Sequence, residues 1–386
     1  MLPLRSELLT SVTAIPARSW DSLHDGGNPF ISHTFLAGLE LAGCVGPHNG
    51  WQPQVFTLHD EQGLLAAAPA WLKNHSFGEF VFDFSWAQAY ARSGLDYYPK
   101  MVIGVPFTPV TGPRLLVRAD ADGPAMRAHL LATILARASE LDLSSVHLLF
   151  ATAPDLAAAH DAGFLARQDC QFHWRNQGYT SFDGYLQSFS AQHRKKTRQE
   201  RRYVAAAGVQ FETRHGDELT TAEVTRIHTL IERTFNHRGQ EPYVSAAFLA
   251  RMARELGPRM MVQLARLGGE IVGTAVFFRG ADSLYGRYWG SDRFINCLHF
   301  EACYYRGIDY CIEHQIGHFD PGVQGEHKIK RGFGAHLTRS AHWIAEPRFR
   351  SAIADFLKRE ARAVEEYAAD VDGHLPFRQP DFAAKP

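Results

Sequence analysis

Twice along this chain the same order of short elements recurs. In the first half VFTLHDEQGLLAAAPAWLK precedes GEFVFDFSWAQAY; in the second, MVQLARLGGEIVGTAVFFRG precedes SLYGRYWGSDRF. Each reads as strand, polar Gly turn, apolar strand, turn, and an aromatic strand ending in Trp86 or Trp289. Alternating apolar positions and β-branched or aromatic enrichment carry the strand prediction. The repeat predicts a duplicated α+β domain. A chain of 386 residues is too long for one ordinary domain and fits two of roughly 170–190 residues.

Helical spacing and caps fill the rest. Asp122 to Leu141 predicts a helix with Pro124 near its start, and DLAAAHDAGF a short one closed by Gly163. The second half opens with one or two helices ending at Gly208, then a strand VQFETRH and the helices TAEVTRIHTLIERTFNHRG and SAAFLARMARELG. After the second meander come the helix LHFEACYYRGIDYCIEHQI, the strand HFDPG, the loop QGEHKIKRGFG and the strand LTRSAHWI. An amphipathic helix is expected from about Pro347 to Tyr367. The expected domains are 1–177 and 178–345, with a terminal helix and tail at 346–386.

Net charge is −1, so attraction to nucleic acid or membrane needs a local patch. Cys44, Cys170, Cys297, Cys303 and Cys311 show no CxxC spacing, which argues for reduced thiols and against a disulfide framework or zinc ribbon. No secretory leader and no run of eighteen apolar residues is read from the sequence. The expectation is a cytoplasmic protein without a membrane span or a metal.

The stretch from Tyr285 to Phe333 concentrates Arg, His, Glu, Lys, Tyr and Trp beyond what an unpaired core accommodates. A polar site that moves protons and groups needs a base, donors for a developing negative charge and positioned substrates. QGEHKIKRGFG offers Glu326 or His327 as base, and Lys328, Lys330 or Arg331 for an oxyanion, carboxylate or phosphate. A surface loop of mutually stabilising charges is the plainer alternative. Strand alternation in YGRYWG puts Tyr285, Arg287 and Trp289 on one face. That arrangement suits a carboxylate or phosphate, or a cation–π stack that only covers the sheet. Glu301 is expected to orient Arg287, or to be a satisfied ion pair. His299, near a helix start, should resist protonation. HRKKTRQERR sets Arg194, Arg198, Arg201 and Arg202 near one helix face. They form either a phosphate-docking patch or a solvated surface.

The order of elements resembles the GNAT acyltransferase fold, and HDAGFLARQ resembles the ending of such a domain. A tandem pair is the plan of the FemABX aminoacyltransferases, whose basic Gly-Phe motif HKIKRGFG resembles. More closely, NPFISHTFLAGLE, GWQPQ, YYPKMVIGVPFTPVTGPRLL, HWRNQGY, HRKKTRQERR, YGRYWG, LHFEACYY and QGEHKIKRGF are similar to the FemAB-like family of N-acyltransferases. The resemblance implies two tandem GNAT-like domains and transfer of an acyl or aminoacyl group to a small-molecule or peptide amine. It places the site in the second domain at the inter-domain cleft. The R/Q-x-x-G-x-G/A phosphate loop of acetyl-CoA enzymes is missing. Arg293 to Leu298 holds no glycine, and RGFGAH fails at His336. That absence argues against an acyl-CoA and favours aminoacyl-tRNA or another activated acyl donor; acyl-CoA is kept as the alternative donor, and tRNA as a partner. The rival reading is a non-catalytic GNAT pair that binds a phosphorylated or acidic ligand.

Overall fold

The computed structural model describes residues 4–323 and 325–378. It is a mixed α/β fold. In chain order the strands are β1 (Arg5–Leu9), β2 (Trp51–Asp60), β3 (Gly63–Lys73), β4 (Lys100–Ile103), β5 (Leu116–Val117), β6 (Ser145–Leu148) and β7 (Leu165–Arg175). They continue as β8 (Gln210–His215), β9 (Met260–Leu267), β10 (Glu270–Arg279), β11 (Ser283–Ser291), β12 (His318–Asp320) and β13 (Gly334–Ile344).

The chain forms two compact units that are each discontinuous in sequence. The first gathers residues 1–169, 243–255 and 337–365; the second gathers 170–242, 256–336 and 366–386. In the first unit the strand order is β1-β2-β3-β4-β6-β13, and β5 pairs with β3. The β4–β6 pair is parallel. In the second the order is β7-β12-β11-β10-β9-β8, with β11–β12 parallel. β7, from the first half of the sequence, thus pairs into the second sheet through Trp174 and Arg175. β13, from the second half, pairs into the first through Ala341 to Ile344.

Local chemistry explains the helices. Asp122 accepts from the Ala125 amide at 3.1 Å and starts Gly123–Glu140, whose Leu130, Leu131, Ile134 and Ala138 are buried. Thr220 and Glu223 form a reciprocal capping box that starts Thr221–Asn236. That helix lies close over β11. A Cβ added at Gly290 would sit 2.2 Å from the Leu230 carbonyl carbon, so only glycine allows the approach. The end of the helix thereby brings Thr234, Phe235 and Arg238 to the end of β11, where they line one cavity with Arg287.

One expected strand is a helix. FSWAQAYAR forms Phe84–Arg92, because Trp86 and Tyr90, four residues apart, share its buried face. The terminal helix runs Pro347–Gly373, longer than expected. QGEHKIKRGFG is no open loop: Glu326–Arg331 is a 3-10 helix between Gly325 and Gly332, both at positive φ. A Cβ at Gly332 would meet the Tyr185 hydroxyl at 2.0 Å.

Candidate active site in the second unit

β12 accompanies β11 only through the pair Tyr285↔Asp320. The chain then turns at Pro321 and Gly322, while β11 continues through Arg287, Tyr288 and Trp289. A cavity of about 420 Å³ lies beside that free length, lined by these three residues, His299, Tyr304, His327 and Lys328 among others. β11 carries a bulge beside this cavity. Val276 faces Tyr288 and Phe277 faces Gly286, which leaves Arg287 as the extra residue. The alternation expected from YGRYWG holds in burial: Tyr285, Arg287 and Trp289 are half-buried, and Gly286, Tyr288 and Gly290 are buried.

The helix behind the cavity is irregular too. Leu298–Phe300 is α-helical, Glu301–Tyr305 a π turn and Arg306–Glu313 α-helical again. The π turn shifts Tyr304 from its α-helical direction. Its hydroxyl lies 2.8 Å from His327 Nε2. Burial holds the Tyr304 phenol well above its ordinary range, so it stays protonated. Burial, then Arg331 and Lys328, lower the His327 pKa. Its imidazole is therefore neutral near pH 7 and able to take a proton. His299, whose ring is 6.0 Å from that of His327, is pushed down to about 3 by burial first and then by His327 and Lys328. The expected resistance to protonation is present, but burial rather than the helix start is its main cause.

The 3-10 turn sorts its own side chains. Glu326, His327 and Lys330 point outward, while Lys328, Ile329 and Arg331 are buried. Lys328 is 1 % exposed; its ammonium donates to the Gly322 carbonyl and is pushed down to about 8 by burial, partly offset by Asp320. Asp320 accepts from Arg287 Nη2 at 2.9 Å and lies 3.8 Å from His173 Nε2. Burial works against its charge, but Arg287 and His173 hold its pKa below the ordinary range.

Several expected partners differ. Glu301 does not orient Arg287; it pairs with Arg201 and Arg306, each at 3.0 Å. Arg201 also reaches Asp309 at 2.7 Å and lies over the Phe182 ring. It is therefore spent within the protein. Arg198 pairs with Asp183 at 3.1 Å. Arg194 donates to the Phe189 carbonyl at 3.3 Å, and Arg202 is exposed beside a separate shallow cavity with Glu301. Arg331 is buried against Glu200 at 2.7 Å and lies 3.5 Å over the Phe300 ring. It anchors the turn through Glu200 and also lines a cavity with Lys330. Tyr285 stacks beside Arg287 at 5.9 Å, and Trp289 contacts His299 at 5.3 Å.

The expected site residues thus divide between two cavities. Arg287, Trp289, His299 and Lys328 line the first. Glu326, Lys330 and Arg331 line a second, of about 730 Å³. His327 borders both. Tyr304, Asp320, His173 and Arg238 were missed by sequence reasoning. Asp320 had a signal, an acid ending an apolar strand before Pro-Gly. Among the described residues no group of three His, Cys, Asp or Glu is placed to hold a metal ion, and no helix is long and apolar enough to cross a membrane.

The FemAB-like family model, described as peptidoglycan biosynthesis/recognition, matches residues 11–379. The chain belongs to this family. Among solved structures, FemX is similar at 12 % identity, covering 90 % of this chain and 100 % of FemX with a TM-score of 0.52; that likeness shows the fold. A putative lysylphosphatidylglycerol synthetase C-terminal domain from Agrobacterium fabrum is similar at 10 % identity, covering 92 % of this chain and 95 % of that one, with a TM-score of 0.49. A tandem GNAT protein from clavulanic acid biosynthesis reaches 13 % identity, 89 % and 98 % coverage and a TM-score of 0.47. No curated protein matches the chain.

Proposed function

We propose that this FemAB-like protein is an N-acyltransferase built from two GNAT-like units, and that the second unit carries the reaction. The observation that supports this most is the His327–Tyr304 pair beside buried Lys328, where β11 runs on past the end of β12. In this reading the amine nitrogen attacks the donor's acyl carbon. The C–N bond forms, and the bond to the donor's thiol or ribose oxygen breaks. His327 takes the proton the amine sheds and returns it to the leaving group. Tyr304 fixes the imidazole. Lys328 does not swing to substrate, being held on the Gly322 carbonyl. It supplies a fixed positive field where the oxyanion develops. Arg238, at the cavity wall, is placed for an anionic group of the donor. The donor is an acyl-CoA or an aminoacyl-tRNA.

The test offers the purified protein each donor class with a pool of amines and follows new amides by mass spectrometry. His327→Ala should lower turnover by about 10²–10⁴-fold, the usual worth of a positioned base, and Tyr304→Phe by less. Amide formation at full rate in His327→Ala would remove the imidazole from the mechanism. No product with any donor would favour the ligand-binding alternative.

A further inference from the structure

The cavity of about 730 Å³ on the other side of His327 has no role in the chemistry above beyond sharing that imidazole. It is walled by the helix Ala191–Ala206, the 3-10 turn and the end of Pro347–Gly373. Its charges are unequally committed. Glu200 is bound by Arg331 at 2.7 Å. Asp370 lies 3.6 Å from His374. Glu326 accepts one hydrogen bond, from Tyr367 at 2.8 Å, and is otherwise exposed. Lys196 and Lys330 both line the cavity and are exposed. No ion pair or hydrogen bond joins either to another side chain among the described residues. Both act electrostatically on His193, a third lining residue, so the two ammonium groups share one neighbourhood. The cavity thus offers two unspent cations, and a carboxylate next in sequence to the proposed base.

We propose that this cavity receives the amine acceptor, and that the acceptor is an anionic primary amine. Its phosphate or carboxylate sits on Lys196 and Lys330. Its ammonium sits at Glu326, loses one proton to solvent, and the neutral amine nitrogen then reaches His327, which takes the proton shed on attack. The name acceptor rests on the acyl-transfer reading; the binding preference does not.

The probes are ethanolamine, O-phosphoethanolamine, β-alanine and inorganic phosphate, titrated by calorimetry and saturation-transfer NMR against the intact protein without donor. Phosphoethanolamine or β-alanine should bind about tenfold or more tightly than ethanolamine, one step of 1.4 kcal/mol on the affinity scale. The ranking of those two tells a phosphate from a carboxylate. Lys196→Glu with Lys330→Glu should abolish the preference, since the reversal repels the anionic probes and favours the ethanolamine cation. Glu326→Gln should weaken the amine-bearing probes but not inorganic phosphate. Should the double reversal not fold, Lys196→Ala with Lys330→Ala reads the same preference. Equal affinity for ethanolamine and its charged counterparts, or a preference that survives the lysine changes, overturns the proposal. Selective binding that persists in His327→Ala, in a protein that acylates no amine, would leave this site standing and sink the transferase reading. Acylation of neutral amines alone would do the reverse.

Discussion

Each unit buries a lysine beside carboxylates, and the two clusters balance their charge differently. In the first unit Lys100 is fully buried and donates to Glu79 at 2.8 Å, to Ser76 at 2.8 Å and to Asp83. Tyr97 adds a hydrogen bond to Asp83 at 2.6 Å. Lys73, also buried, lies 3.7 Å over the Trp51 ring and feels the charges of Glu79 and Asp83. Two lysines there face two carboxylates. In the second unit Arg287 and Lys328 face Asp320, the one carboxylate beside both among the described residues, with a cavity alongside. The first cluster is neutral and serves packing. The second holds surplus positive charge at an opening, which is what a developing oxyanion requires.

The largest expected effect breaks the neutral cluster. Lys100→Ala leaves Glu79 and Asp83 buried without their shared cation, and removing one partner of a buried pair costs about 3–5 kcal/mol. Urea unfolding should show that loss. Lys328→Met removes a surplus charge instead. It forfeits one hydrogen bond to a carbonyl that the cavity can hydrate, so folding stability should fall by about 1–3 kcal/mol. Turnover should fall beyond that loss, because the fixed positive field at the developing oxyanion goes with the ammonium. Equal destabilisation by the two changes, with no added loss of rate for Lys328→Met, would erase the distinction between the clusters. By sequence alone Lys328 reads as an exposed side chain, cheap to truncate; the 3-10 turn overrules that by burying it.

The two lysines should also respond oppositely to pH. Lys328 releases its proton at about 8 when folded, against about 10.4 in an unfolded chain. Between those values the folded protein binds fewer protons, so this residue's contribution to stability rises with pH. The pKa of Lys100 is raised, since Glu79 and Asp83 outweigh its burial. Its contribution is fully present below the unfolded value and is lost as pH climbs through the folded one. Urea midpoints of wild type and Lys328→Met between about pH 7.5 and 10 isolate the first effect, since they bracket its titration. The wild type should gain on the variant as pH rises; a constant gap contradicts the charged, buried lysine.

Sequence patterns reached the local parts of this architecture. The second meander and the helices over GPAMRAHLLATILARASEL and TAEVTRIHTLIERTFNHRG all lie in windows of local sequence, where spacing decides. Features fixed by distant partners were not legible. The run ending in Trp86 reads as a strand because its aromatics favour sheets, yet Trp86 and Tyr90 at helical spacing meet a hydrophobic cluster that includes Ile353 and Leu357. The bulge at Arg287 depends on the register of β10, and the choice of Asp320 over Glu301 as its partner depends on β12. Nothing in KIK says which lysine is buried; the glycines at either end of the turn, meeting Tyr185 and His327, decide it. The pairing of β7 and β13 into the other half's sheet joins residues far apart along the chain, for which local periodicity has no signal.

The smallest expected effect concerns cations that face water. Arg198 and Asp183 have side chains 52 % and 75 % exposed, and such pairs contribute about 0–1 kcal/mol. Arg202 is exposed as well. Arg198→Glu with Arg202→Glu should therefore leave the unfolding midpoint nearly unchanged. Its value lies in sharpening what surplus charge means. If exposed positive charge alone attracted a polyanion, this reversal would lower the log–log salt slope of tRNA binding by about 0.7–0.9 for each phosphate no longer neutralised. The structure gives Arg198 and Arg201 acidic partners of their own, whereas Lys196 and Lys330 face a cavity. The expected outcome is a slope untouched by the arginine pair. A slope that drops with Arg198 and Arg202 but ignores Lys196 and Lys330 would move the anion-binding surface from the cavity to the outer face of the helix.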